Sequence, residues 1–150
     1  MKNFITVETA INLALEKVWK LWTTPADIIQ WNNPSEDWQT LRVENDLRDG
    51  GAFLFRMEAK DGSEGFDFCG KYDKVITNEL IEYTLTDGRK TRNQFTTNGD
   101  ATTLVETFEP EAETPVDIQR GFCQGVLNNF KNYAENLINN EERISISVKE

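Results

Sequence analysis

The chain contains no histidine at all. Ser-His-Asp and Cys-His catalysis, zinc sites of the Cys₂His₂ or His₃ type and proximal-His haem each require an imidazole, so none of them can operate here. Cysteine is nearly as scarce. Cys69 and Cys123 are the only two, they form no CxxC motif, and two thiols alone do not hold a metal. Basic residues are outnumbered, with Lys+Arg 16 against Asp+Glu 26 and a net charge of -10. Such a surface repels nucleic acid and anionic lipid. No apolar run approaches the ~18 residues that span a bilayer, so membrane insertion is not expected. Met1-Lys2 leads straight into Phe4-Ile5-Thr6-Val7, too short and too polar for the apolar core of a leader peptide. The expectation is a cytoplasmic protein with free thiols.

What is present is a one-domain length of 150 residues, 38% hydrophobic and 28% charged, with nine Phe, four Trp and three Tyr. That is globular, and large enough to fold without disulfide or metal. Ile5, Val7, Thr9 and Ile11 alternate with Thr6 and Glu8, which predicts a strand. Leu15, Val18, Trp19 and Trp22 recur at helical spacing. Thr24-Pro25-Ala26-Asp27 reads as the capped start of a second short helix running to about Trp31. Asn32-Asn33-Pro34-Ser35 ends it.

From Trp38 to Glu109 the period becomes two. Phe53, Phe55 and Met57 alternate with Leu54, Arg56 and Glu58. Phe66, Phe68, Gly70 and Tyr72 alternate with Asp67, Cys69 and Lys71. Ile81, Tyr83 and Leu85 share a face, 93–97 is a weaker strand, and 103–109 is the last. Turn residues at 49–51, 61–63, 78, 87–88 and 98–100 separate the strands and predict an antiparallel meander. Thr114-Pro115-Val116-Asp117 then repeats the cap pattern. Ile118, Phe122, Val126, Phe130, Tyr133 and Leu137 form one apolar stripe over a helix of 115–138, roughly 36 Å long. Gly121 and Gly125 interrupt it, each costing about 1 kcal/mol against Ala, which points to a close backbone approach or a bend. The order is β-αα-β₆-α: an α+β fold whose curved sheet is covered on its concave face by the long helix, with the short helices closing one end. The domain is read as 1–138, with a tail at 139–150.

The pieces Val18 to Thr23, Pro25 to Trp31, Asp46 to Phe53, Gly70-Lys71-Tyr72, Glu82-Tyr83-Thr84, Thr107-Phe108-Glu109 and Gly121-Phe122 to Tyr133 together resemble the activator of heat-shock-protein-90 ATPase homologue-like family, within the START/SRPBCC superfamily. The resemblance runs from about residue 4 to 138. It implies a helix-grip fold, a curved antiparallel sheet gripping a C-terminal helix around an internal cavity. Relatives use the cavity for hydrophobic ligands, and some are cyclases or hydrolases. The sequence departs from the family pattern at Trp31-Asn32-Asn33-Pro34, at Gly121-Phe122, and in the extra residues 139–150.

Three functions follow as expectations. The leading one is a cofactor-free, metal-free cavity for a small hydrophobic molecule, walled by Trp31, Trp38, Phe53, Phe55, Phe66, Phe68, Tyr83, Phe95, Phe122, Val126 and Phe130. The second is a cyclase- or hydrolase-type enzyme using a carboxyl or Tyr group in that cavity, with no catalytic residue assigned. The third is a chaperone-interacting module. Glu106 shares its strand face with Leu104 and Phe108, so it is the carboxylate placed to touch something enclosed. Asp67, Arg56 and Glu58 fall on the outer face as ordinary cross-strand charges. Cys69 and Cys123 read as small buried apolar residues rather than nucleophiles. The alternating tail 141–149 matches a sheet edge, its own or that of a second copy, or a frayed end. The sequence is compatible with a homodimer and does not determine one.

Overall fold

In the computed structural model the backbone is described for residues 4–149 and the side chains for residues 4–137. The elements are β1 (Ile5–Ile11), α1 (Leu15–Thr23), α2 (Pro25–Trp31), β2 (Trp38–Asn45), β3 (Ala52–Ala59), β4 (Gly65–Ile76), β5 (Leu80–Leu85), β6 (Lys90–Asn98), β7 (Ala101–Phe108) and α3 (Val116–Lys149). The seven strands form one antiparallel sheet in the order β1-β7-β6-β5-β4-β3-β2. The first two strands of the chain therefore occupy the two opposite edges. The α1–α2 pair joins them, which is why it must cross one face of the sheet.

The meander follows the turn residues. Gly88, at φ 93°, and Asn78, at φ 64°, occupy the left-handed region that tight reversals need. The 46–51 turn is packed harder: the Gly51 position lies so close to the Asp46 carbonyl that a Cβ there would collide with it. Register shifts at Thr40/Arg42 and at Tyr72/Lys74 insert one extra residue on β2 and on β4. Bulges of this kind bend a strand and increase its twist, and here they help curl the sheet into a half-barrel.

Burial follows strand parity. Ile5, Val7 and Ile11 on β1, Phe53 and Met57 on β3, and Leu104 and Phe108 on β7 are buried on the concave side. On the convex side Arg56 bonds Glu58 at 2.9 Å and Asp67 at 3.4 Å, so the outer-face placement of these three charges holds.

Neither threonine caps its helix with its side chain. Thr24 stands at the N-cap of α2, yet its Oγ1 donates to the Lys20 carbonyl of α1 at 2.6 Å. Thr114 Oγ1 donates to Glu111 at 3.1 Å. In both cases a nearby acceptor takes the hydroxyl that the pattern assigns to the helix N-terminus.

The long helix lies along β1, the edge strand. Gln124 Nε2 donates to the Glu8 carbonyl at 3.0 Å, Lys131 Nζ donates to the Ala10 carbonyl, and Glu135 accepts from the Asn12 amide at 2.9 Å. These bonds satisfy edge groups that would otherwise invite another strand. The buried face of α3 is Leu127, Phe130 and Ala134, each at 0% exposure. It differs from the predicted stripe: Ile118 is 61% exposed and Phe122 40%, while the fully buried positions fall later along α3. Of the two helix glycines, only Gly125 marks a close approach, since a Cβ there would lie 2.8 Å from the Pro34 carbonyl oxygen. At Gly121 a Cβ would meet nothing within 4 Å.

The helix continues to Lys149, past the end near 138 that the apolar stripe predicts. The contacts of the 139–150 tail, including the edge pairing expected of it, lie outside the described residues. Among the described residues no helix is long and apolar enough to cross a membrane.

Candidate functional site: a ring-walled cavity with one polar end

The concave face divides into a filled half and an open half. Trp22 stacks on Trp31 with ring centres 4.5 Å apart, and Phe130 of α3 meets both edge-on at 5.0 Å. Phe95 of β6 is pinned by Trp19 at 5.1 Å and Trp22 at 6.2 Å. The Trp31 indole N–H is satisfied by the Leu21 carbonyl at 2.9 Å. This interlocked set fills the space beneath the two short helices. Farther along the sheet, toward β3 and β4, the inward rings of the strands face a space bounded by the short helices on one side and by α3 on the other.

There a cavity of about 130 Å³ remains. A single water needs about 10–15 Å³ counted in the same way, by the space open to its centre, so the cavity has room for a small organic molecule. Its walls come from Trp22, Ile28 and Trp31 of the short helices, from Phe53, Phe55 and Met57 of β3, and from Phe66, Phe68 and Tyr72 of β4. Ile81 and Tyr83 of β5, Asn93 of β6, Glu106 of β7, and Phe122, Cys123 and Val126 of α3 complete them, with Thr23, Asn32 and Asn45 at the side. Phe66 and Phe122 are each 40% exposed, so they flank the point where the cavity meets solvent.

Most polar groups on this wall are already paired. The Tyr72 hydroxyl donates to Asn45 Oδ1, whose Nδ2 donates in turn to the Thr23 carbonyl at 2.8 Å. Asn32 Nδ2 donates to Thr40 Oγ1 at 3.2 Å, and the Thr40 hydroxyl donates back to the Asn32 carbonyl at 2.6 Å. Tyr83 bonds Thr91, its cross-strand neighbour.

The other end is different. Glu106 lies in the wall with no cation among the described residues beside it, and burial pushes its carboxyl up to about 7. Glu106 is half-buried, and its side chain lines the cavity. Burial also raises Tyr83 well above its ordinary value, with the Glu106 charge adding to the effect, and pushes the Cys123 thiol up to about 12. At neutral pH Cys123 is therefore a thiol and not a thiolate nucleophile. Both cysteines are free. Among the described residues no group of three or more His, Cys, Asp or Glu side chains is placed to hold a metal ion.

Of the residues singled out from sequence, Trp31, Phe53, Phe55, Phe66, Phe68, Tyr83, Glu106, Phe122 and Val126 line the cavity. Three do not. Phe95 and Phe130 belong to the filled half, clamped by Trp19, Trp22 and Trp31. Trp38 packs edge-on against Phe66 at 5.9 Å, outside the wall. Sequence reasoning passed over Asn93, Cys123, Tyr72, Ile81 and Met57 as site residues. The signal for four of them was parity: Met57 shares its strand face with Phe55, Tyr72 with Phe68, Ile81 with Tyr83, and Asn93 with Phe95. Cys123 precedes Leu127 by four residues on the true buried face of α3.

The family model for "Activator of Hsp90 ATPase homolog 1-like protein" matches residues 12–135. Among solved structures, the solution structure of an AHSA1-like protein from Aeromonas hydrophila is 38% identical with a TM-score of 0.84, covering 90% of this chain and 94% of that one. A protein from Cytophaga hutchinsonii, also solved in solution, is 50% identical with a TM-score of 0.78 over the same shares. A crystal structure from Chromobacterium violaceum, at 23% identity and a TM-score of 0.77 over 89% and 98% of the two chains, shares the fold. No curated protein matches the chain. With its curled seven-stranded sheet gripping a C-terminal helix, the chain belongs to the activator of Hsp90 ATPase homolog 1-like family.

Proposed function

We propose that this protein binds a small hydrophobic molecule in the cavity between the sheet and α3. One observation carries the reading: a space of about 130 Å³ walled by rings, beside a half of the same face where Trp22, Trp31 and Phe130 pack ring on ring. The chain has the aromatic bulk to fill its interior, and at β3–β4 that bulk stands back. Removing apolar surface from water is worth about 25 cal/mol per Å², so burying ~200–300 Å² of ligand returns about 5–8 kcal/mol. Because the wall is already formed, little is lost to ordering it; about 5–8 kcal/mol corresponds to a Kd of about 200 μM to about 1 μM before the cost of lost translation and rotation, so affinity in the upper micromolar range or weaker is expected.

Trp22 and Trp31 both line the cavity, so intrinsic fluorescence reports occupancy directly. Titration with small planar aromatics is expected to change tryptophan emission saturably and to raise the melting temperature. Val126→Trp places an indole in the cavity and is expected to abolish the response while the protein stays folded. A melting temperature unmoved by every probe, or a response unchanged in the Val126→Trp variant, contradicts the reading.

A second reading, acid–base catalysis on a bound hydrophobic molecule, is favoured by Glu106, whose carboxyl is pushed up to about 7 in the cavity wall. A general acid or base works best near the ambient pH. Its test is turnover of cavity-sized aromatic esters with a pH inflection near 7. Turnover that persists in a Glu106→Gln variant rejects it.

A further inference from the structure

Two polar groups in the cavity are left without a partner, and they are neighbours. Glu106 and Asn93 stand directly opposite each other across β7 and β6, and both line the cavity. Asn93 is 2% exposed, and its Oδ1 has no hydrogen-bond partner. Glu106 makes no hydrogen bond or ion pair with any described residue. The groups around it are Val7 across β1, Asn93 on β6, Tyr83 on β5 and Cys123 on α3. These are an apolar side chain, an amide and two weak acids that burial keeps neutral.

None of them brings a positive charge. Among the described residues no lysine or arginine lines the cavity, and the chain has no histidine. The charge of Arg89 reaches Cys123, but its guanidinium is held by Asp87 at 2.8 Å.

A carboxylate removed from water is costly unless it is paired. Proteins ordinarily pair it with their own Lys or Arg; this cavity holds neither. Much of the rest of its wall is Phe, Tyr and Trp, whose ring faces attract cations. The net charge of -10 adds long-range attraction for a cation and repulsion for an anion. We propose that the molecule bound in the cavity is an organic amine, with its ammonium group at the Glu106–Asn93 end and an apolar or aromatic body in the ring-walled remainder. This inference rests on the cavity being a binding site. The ammonium supplies the missing counter-charge, and its N–H groups supply donors for the carboxylate. A carboxylate-headed molecule of the same body meets repulsion at that end. An alcohol brings a donor without the charge.

Three probes that share a body and differ in the head separate these cases: naphthylethylamine, naphthylethanol and naphthylacetate. Titration calorimetry on the intact protein at about pH 8.5 is expected to rank the amine about tenfold or more tighter than the alcohol, with the carboxylate weakest. Near pH 7 amine binding is expected to release protons from the protein, seen as a dependence of the heat on buffer ionisation enthalpy, whereas alcohol binding releases none. In the Glu106→Gln variant the amine and alcohol affinities are expected to converge. An alcohol that binds as tightly as the amine, or an amine preference that survives Glu106→Gln, overturns the head-group assignment and leaves the cavity reading standing. Failure of all three probes to bind overturns the cavity reading, and this inference with it.

Discussion

Replacing Glu106 by Gln is expected to stabilise the empty protein, and only above a definite pH. The carboxyl is raised from its ordinary 4.5 to about 7 by burial alone. In the unfolded chain it ionises near 4.5; in the folded protein it holds its proton until about 7. Below 4.5 both states are protonated and Glu106 has no pH-dependent effect. Between 4.5 and 7 the unfolded state loses a proton that the folded state keeps, so stability falls as pH rises. Above 7 both are ionised and the full desolvation cost is present. At about 1.4 kcal/mol per pH unit, that cost is about 3 kcal/mol, reduced to the extent that water in the cavity relaxes around the charge. Gln has the same shape and never ionises. Urea denaturation of both proteins from pH 4 to pH 9 is the assay, with the difference between them as the readout. The exposed carboxylates of this acidic chain then cancel. The difference is expected to grow by about 2–3 kcal/mol between pH 4 and pH 8, in favour of Glu106→Gln. Two curves that stay parallel across the range refute a desolvated, unpaired carboxyl at this position.

The two helix glycines give opposite expectations. Gly121→Ala fills open space on α3 and is expected to add up to about 1 kcal/mol through helix propensity, whereas Gly125→Ala drives a Cβ to 2.8 Å from the Pro34 carbonyl and is expected to lower the melting temperature despite the same propensity gain. Phe130→Ala is expected to cost about 3–5 kcal/mol in chemical denaturation because the ring is at 0% exposure, and Phe122→Ala, at 40%, far less. Cys123, pushed up to about 12, is expected to resist thiol reagents at pH 8 in the native protein and to react once it is unfolded in urea.

Much of this architecture is legible in the chain because strand parity is local information. Phe53-Leu54-Phe55 and Phe66-Asp67-Phe68 declare their inward rings by alternation, and Leu104-Val105-Glu106 places a carboxylate on the same side by the same rule. The order of elements follows from turn residues that work through backbone geometry alone. What parity cannot reveal is which inward residues meet a partner. Phe95 and Phe53 both face the concave side, yet Phe95 is clamped by Trp19 and Trp22 while Phe53 lines the cavity. That depends on where α1 and α2 cross the sheet, and the crossing is set by β1 and β2 occupying opposite edges. The same holds for α3. A stripe drawn through Ile118 and Phe122 assumes equal burial along every turn, but Ile118 and Phe122 are exposed, and the fully buried face runs through Leu127, Phe130 and Ala134 instead. Trp38 shows the limit for aromatics near an edge, since its ring finds Phe66 outside the wall. Asn93 was hidden for a further reason: a polar residue in a weak strand carries no apolar signal, and its unpaired Oδ1 appears only once Glu106 is seen across from it.

The central claim is that the space between β3–β5 and α3 stays open in the native state. Diffraction from crystals pressurised with xenon tests it most directly, because an apolar cavity of this size takes up the gas without any assumption about the natural ligand. The account predicts xenon density among Phe53, Phe68, Tyr83 and Val126, with the surrounding side chains unmoved. Rings that meet across that space, with no xenon between them, contradict it.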